Sequence, residues 1–265
     1  DLFVNRLARE IAPIRVTGNY GSEILRSVRS FKPNPPNGKI FHPDFRPHVR
    51  EAVKSYEDAI KGHRLSFMVF KQMPWHHYGR LALEQSQLTQ RSPFLDYELV
   101  RNVYQAPPET TREDEISLRL IADGNPRLRK YMTDRGVGGD SNFFFSMIAR
   151  SCLEFTFKAE YAYDYGMPQW IAKIDHLISC LRSERLFLGR HKFSHFRVWY
   201  RDQLSDYIKD ILLDKKTMNR SYLNAPFIEN IVRNHLKGNF NFTTEIHKVL
   251  TSELIERSLL EGYHA

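Results

Sequence analysis

One short stretch, Ile14-Arg15-Val16, reads as a β-strand in a chain whose other apolar patterns all have helical spacing. That imbalance constrains the fold more than any other feature. A lone strand leaves both hydrogen-bonding edges unsatisfied, and strands become stable only within a sheet. The pattern therefore predicts further strands, which we expect to lie N-terminal to residue 1. Residue 1 is Asp and not Met, so the chain reads as an excised or processed piece of a longer one.

Around this strand the helical pattern is dense. Segment 2–12 sets Leu2, Phe3, Leu7 and Ile11 on one side, and Pro13 stops it. After a turn at 18–21, Ser22 stands where an N-cap would open the next helix. The Pro- and Gly-rich stretch 31–43 predicts an irregular loop. Helical spacing covers 44–61, 65–71, 75–88, 96–104 and 112–122, and breaks at 123–142 around Gly124, Pro126, Gly136, Gly138 and Gly139. It resumes over 143–164, 168–182, 196–213, 225–236 and 243–260. In the last of these Thr243 or Thr244 is the expected cap, and Ile246, Val249, Leu250 and Leu254 form the apolar stripe.

Charge narrows the partners. A net charge of +8 and a pI near 9.4 permit nucleic acid, acidic membrane or nucleotide phosphate as partner. The basic residues, however, are spread along the chain and mixed with acids, as in Arg182-Ser183-Glu184-Arg185. With no block of like charges, we expect no nucleic-acid and no membrane partner. No run of roughly eighteen apolar residues predicts a membrane span, and the first residues read as an amphipathic helix, not a signal peptide. Cys152 and Cys180 both sit in apolar helical contexts, which predicts reduced core thiols and a cytoplasmic protein.

Two segments carry the chemistry. Thr17-Gly18-Asn19-Tyr20-Gly21-Ser22-Glu23 runs from the strand into a helix, with glycines where a phosphate can approach the backbone. Glu23 or Asn19 could hold a metal-bound water there; an ordinary tight turn is the alternative. Downstream, Arg91-Ser92-Pro93-Phe94-Leu95-Asp96 reads as a fixed turn opening a helix. Pro93 suits the entry, Phe94 and Leu95 would pin it to the core, and Asp96 would cap it. Arg91 could face an anion or tie two elements together. His76-His77 and His191-x-x-x-His195 have spacings that could bind zinc, but neither has a nearby Cys, and surface or core histidines are the simpler reading.

Order and wording of these segments resemble the synthetase domain of the asparagine synthetase family. Segment 17–25 resembles the family's S-G-E-G-x-D-E-L-F, with Thr17 for Ser, Gly18 for the first Gly and Glu23 for the final Glu. Leu83-Glu84-Gln85-Ser86 followed by 91–100 resembles its R-x-P-F-L-D-x-x-x-V block. Segment 125–136 is a looser match to a stretch that delivers a phosphate-binding lysine, with Lys130 and Arg135 as candidates. The resemblance implies a mainly α chain, the C-terminal, helix-rich part of an adenine-nucleotide α-hydrolase-like α/β domain with few strands in this chain. Residues 1–125 would form the nucleotide-site part and 126–265 a helical C-terminal part. It further implies ATP and magnesium as cofactors, with Thr17, Gly18, Asn19, Gly21, Ser22 and Arg91 around the nucleotide. Glu23 would be the metal ligand, and Glu23, Lys130 and Arg135 catalytic. The partners implied are a carboxylic-acid substrate, ammonia or an amine donor, and a missing N-terminal segment or glutaminase domain; a homodimer is compatible.

The departures matter as much. Asn19 stands where the family has an acid/base Glu and Ser22 where it has a magnesium-binding Asp; Asn is no base near neutral pH, and a hydroxyl is a poorer hard-cation ligand. The family's S-G-G-x-D-S loop is absent, since Gly138-Gly139-Asp140-Ser141 lacks the spacer and follows the other motifs. Three readings result: a fragment of an ATP-dependent amide-forming ligase, a non-catalytic descendant that keeps the fold for nucleotide or partner binding, and a helical nucleic-acid binder supported by charge alone.

Overall fold

Ile14–Val16 has a partner. The computed structural model describes residues 2–29, 36–111, 115–131, 143–177, 189 and 191–262. In it Ile14–Val16 forms β1 and pairs in parallel with β2, Thr89–Arg91, in the register Ile14 to Thr89, Arg15 to Gln90 and Val16 to Arg91. The Thr89 amide donates to the Pro13 carbonyl at 3.0 Å and the Thr17 amide to the Arg91 carbonyl at 2.9 Å, which extends the ladder at both ends. Thr-Gln-Arg has no apolar alternation, so β2 is silent in the sequence; it forms because Gln90 turns inward to a buried carboxylate. Among the described residues the chain is otherwise helical.

The chain divides into two compact units, Asp1–Asn34 with Glu51–Tyr131, and Pro35–Arg50 with Met132–Ala265. The first holds α1 (Leu2–Ile11), β1, α2 (Gly21–Arg26), most of α3 (Arg46–Ala59), α4 (Arg64–Phe67), α5 (Tyr78–Gln85), β2, α6 (Tyr97–Gln105) and α7 (Glu115–Gly124). Its apolar centre is Tyr20, Ile24 and Leu65, with Met73, Leu81, Phe94, Val100 and Val103 packed against them. Full burial of each such aliphatic side chain contributes about 1.5–3 kcal/mol. A polar knot holds the strands to the helices. The Arg15 guanidinium donates to Asn5 Oδ1 at 2.5 Å and to Glu84 Oε2 at 2.7 Å, and Gln90 donates to the same Glu84 oxygen. Asn5 and Glu84 are each 2% exposed, so the knot fixes α1, β1, α5 and β2 together. Asn5 is thus the buried residue of α1, whereas Leu2, Phe3, Leu7 and Ile11 stay exposed.

Several local expectations change. The helix over 65–71 and the helix over 75–88 are joined by a π-helix, Met68–His77, that passes through Pro74. Pro74 lacks an N–H, and widening to i→i+5 bonding is one way a helix continues past such a residue. Ser22 is not the N-cap: Tyr20 takes that place with φ 72°, and Ser22 Oγ accepts instead from Arg26 at 2.7 Å. Leu95 is 44% exposed and does not pin the turn, which rests on Phe94. Asp96 caps α6 as expected, its Oδ1 accepting from the Glu98 and Leu99 amides. Cys152 is exposed and not a core thiol; Cys180 lies outside the described residues.

The second unit contains α8 (Phe143–Tyr163), α9 (Gln169–Leu177), α10 (Phe196–Arg201), α11 (Ser205–Leu212), α12 (Lys215–Met218), α13 (Ala225–Leu236) and α14 (Thr243–Ile255). Ile208, Leu212, Ile228, Ile231, Val232 and Ile246 are fully buried at its centre. The helix expected over 196–213 is broken at Asp202 (φ −107°, ψ −86°). Neither Thr243 nor Thr244 caps α14; Asn241 Oδ1 accepts from both the amide and the hydroxyl of Thr243. Charged groups are buried here in pairs. Glu160 is 0% exposed, and its carboxylate accepts from the amides of Gly189 (2.9 Å), His191 (2.6 Å) and Lys192 (3.3 Å). Lys192 Nζ meets Asp164 at 2.5 Å between the rings of Tyr161 and Tyr165, and Arg197 meets Asp175 at 2.8 Å. His191 and His195 serve this lattice, one bonded to Thr156 Oγ1 at 2.9 Å and the other accepting from the Gly189 amide at 3.2 Å. No helix among the described residues is long and apolar enough to cross a membrane.

Candidate functional site

The loop after β1 is shaped by bonds to its own residues and to the segment after β2. Thr17 Oγ1 accepts from the Asn19 amide at 3.2 Å, and the Gly21 amide donates to the Gly18 carbonyl at 3.2 Å. From the segment after β2, Ser92 Oγ donates to the Asn19 carbonyl at 2.6 Å. Tyr20 adopts left-handed backbone geometry, which costs a non-glycine residue on the order of 1–3 kcal/mol. Burial of its ring beside Ile24 and Leu65 offsets that cost. Gly21 lies beneath Phe94: a Cβ there would sit 2.9 Å from the ring's Cε2. Two sequence segments seventy residues apart thus form one edge, at the C-terminal ends of two parallel strands.

That edge opens into a cavity of about 250 Å³ lined by Gly18, Asn19, Tyr20, Ser22, Glu23, His77 and Leu81. Glu23 Oε1 faces His77 Nε2 at 3.5 Å, with side chains 13% and 23% exposed. The Tyr20 ring meets His77 edge-on, centroids 5.4 Å apart. Burial, with the charges of Glu23 and Glu84, pushes the Tyr20 hydroxyl above its ordinary range, so it stays protonated near neutral pH. A Cβ at Gly18 would meet nothing within 4 Å, which leaves room for a ligand against the backbone.

Of the residues singled out in the sequence, Gly18, Asn19, Ser22 and Glu23 line this cavity. Thr17 shapes the turn and Gly21 seats it against Phe94. Arg91 contributes its backbone carbonyl while its side chain is exposed and is not part of the lining. Lys130 ends a 3-10 turn, Pro126–Lys130, on an exposed surface and does not line the cavity. Arg135 lies outside the described residues. His77 is the residue that sequence reasoning missed here. It belongs to a His76-His77 pair read as surface or core histidines in preference to a zinc site, and nothing in the local pattern links it to Glu23.

The residues can be tested against the groups the family resemblance implies. The cavity suits a phosphate or diphosphate and is below the size of a pocket that encloses a drug-sized ligand, about 300–1,000 Å³. Magnesium fits poorly. It prefers near-octahedral oxygen coordination, usually with one or two carboxylates. Glu23 is the one carboxylate in the lining and already faces an imidazole, and Ser22 Oγ is occupied by a guanidinium. Among the described residues no group of three or more His, Cys, Asp or Glu could hold a metal ion.

No family model, curated protein or solved structure matches the chain.

Proposed function

We propose that this chain is part of an ATP-dependent, amide-forming ligase of asparagine synthetase type, built on an α/β domain of the adenine-nucleotide α-hydrolase kind. In such a reaction a substrate carboxylate attacks the α-phosphorus of ATP and releases pyrophosphate. Ammonia or another amine then attacks the acyl carbon and releases AMP. In this reading the 17–23 loop lies beside the pyrophosphate, with Gly18 giving close backbone approach.

One observation carries the proposal: the two motif segments meet at the carboxyl end of a parallel strand pair. Open parallel sheets bind ligands in the crevice beyond those ends. The contacts that join them, Ser92 to Asn19 and Phe94 to Gly21, are between residues of the motifs themselves. Ile14 (56% exposed) and Val16 (74%) leave one face of the strand pair open, and parallel strands are normally covered on both faces, which supports a further covering layer.

A second reading, a non-catalytic relative that keeps the site for binding, is favoured by Asn19 and Ser22, which remove two carboxylates from the loop. One experiment separates them. The full natural chain is incubated with ATP, magnesium and a panel of carboxylic acids, and pyrophosphate exchange and AMP release are followed beside calorimetric ATP binding. Exchange with any acid supports the ligase. Tight binding without exchange supports the binding protein, and absence of both ends the two readings together.

A further inference from the structure

Glu23 is nearly enclosed, and a buried carboxylate without a compensating charge or donor set is costly. The group across the cavity from it is His77, held in place by the Tyr20 ring on one side and the π-helix that carries it. Beside it, Ser22 Oγ takes a hydrogen bond from Arg26, so the position with a magnesium-binding Asp in the resembled family is here tied to a fixed positive charge. A guanidinium hydrogen-bonded to the ligand position repels a dication and attracts an anion. The Asn19 carbonyl, a further oxygen at the same edge, accepts from Ser92. Ser22 Oγ, Glu23 Oε1 and the Asn19 carbonyl, three oxygens at this edge, are each turned toward a donor or a basic group of the chain itself.

From this donor set we infer that the cavity takes a phosphate-bearing anion without a metal ion held by protein side chains, His77 standing where the cation would be. Glu23 and His77 face each other at 3.5 Å, and Arg26 supplies positive charge through Ser22. Gly18 leaves the space for a phosphate oxygen to reach the backbone. Magnesium that accompanies a nucleotide is then carried by phosphate oxygens and water. The inference rests on reading the cavity as a phosphate site, and its test is chosen to separate the two.

The probe is inorganic pyrophosphate, titrated calorimetrically into the full natural chain, once with EDTA and once with excess magnesium. The dissociation constants are expected to differ by less than about tenfold. His77→Ala is expected to weaken binding in EDTA by about tenfold or more. Ser22→Asp supplies the absent carboxylate and is expected to make binding magnesium-dependent, weaker by about tenfold or more in EDTA and recovered on adding the metal. Circular dichroism checks that each variant folds; if His77→Ala does not, His77→Gln takes its place, and the wild-type comparison stands alone regardless. Wild-type binding tightened about tenfold or more by magnesium overturns the inference, as does unchanged binding by folded His77 variants, and both leave the phosphate site standing. No pyrophosphate binding under either condition removes the phosphate site and the inference with it.

Discussion

Gly21→Ala tests the contact that joins the two motif segments. The backbone at Gly21 lies outside the left-handed region, so alanine is conformationally allowed. What opposes it is steric. The new Cβ would lie 2.9, 3.1 and 3.2 Å from Phe94 Cε2, Cζ and Cδ2, closer than carbon atoms tolerate. The ring cannot swing away freely, because it packs against Tyr20, Ile24 and Leu65. Overpacking of this kind costs about 1–3 kcal/mol. Alanine's better helix propensity returns up to about 1 kcal/mol, so the net loss should be about 1–2 kcal/mol. Phe94→Leu removes the offending ring edge and lowers stability by itself through lost packing. In that background Gly21→Ala should cost nothing or stabilise, giving a coupling energy of about 1–3 kcal/mol, within the range for residues in contact.

The measurement is urea unfolding of all four members of the cycle. It is followed through Trp75, the tryptophan of the first unit, in a Trp170→Phe, Trp199→Phe background. A neutral or stabilising Gly21→Ala in the Phe94 background would refute the reasoning. So would an equal penalty in both backgrounds, because the loss would then not come from the ring.

Two further outcomes concern the second unit. Glu160→Gln replaces one acceptor oxygen with a donor that faces the backbone amides of Gly189, His191 and Lys192; it should lower stability by about 2–3 kcal/mol, read from Trp170 and Trp199 fluorescence in urea, and a loss below about 0.5 kcal/mol would contradict the assignment. His235 is pushed down to about 4, chiefly by burial. The unfolded chain takes up its proton near pH 6.5 while the folded one resists, so this contribution is intact above about pH 6.5 and is lost as pH falls toward 4. Between pH 7 and pH 5 the loss from His235 should be about 2 kcal/mol, with His247, also lowered by burial, adding the same sign. His235→Asn should flatten that slope; an unchanged pH dependence would exclude His235 as its source.

Where local chemistry and tertiary burial agree, the fold was legible in the sequence. Helix α13 was expected over 225–236 and is found there, because Asn224 caps it and Ile228, Ile231, Val232 and His235 bury one helical face. Strand β2 was invisible because what recruits Thr89–Arg91 is not apolar alternation but the buried Glu84, which no windowed pattern registers. His77 was hidden for a related reason. Pro74 reads locally as a break, whereas the observed π-helix runs through it and carries the imidazole to Glu23 from another part of the chain.

The Arg91–Asp96 segment shows what such legibility is worth for function. Its most chemically suggestive member, Arg91, presents a carbonyl to Thr17 and leaves its side chain in solvent. The residues that reach the loop are Ser92, through a hydroxyl, and Phe94, through a ring that leaves no room for a side chain at position 21. Both act on the position of the loop, not on a ligand. The pattern of such a segment therefore reports the building of a strand edge and not the chemistry beside it. In this chain Ser92 and Phe94 build the strand edge, and Asn19, Ser22, Glu23 and His77 line the cavity beside it.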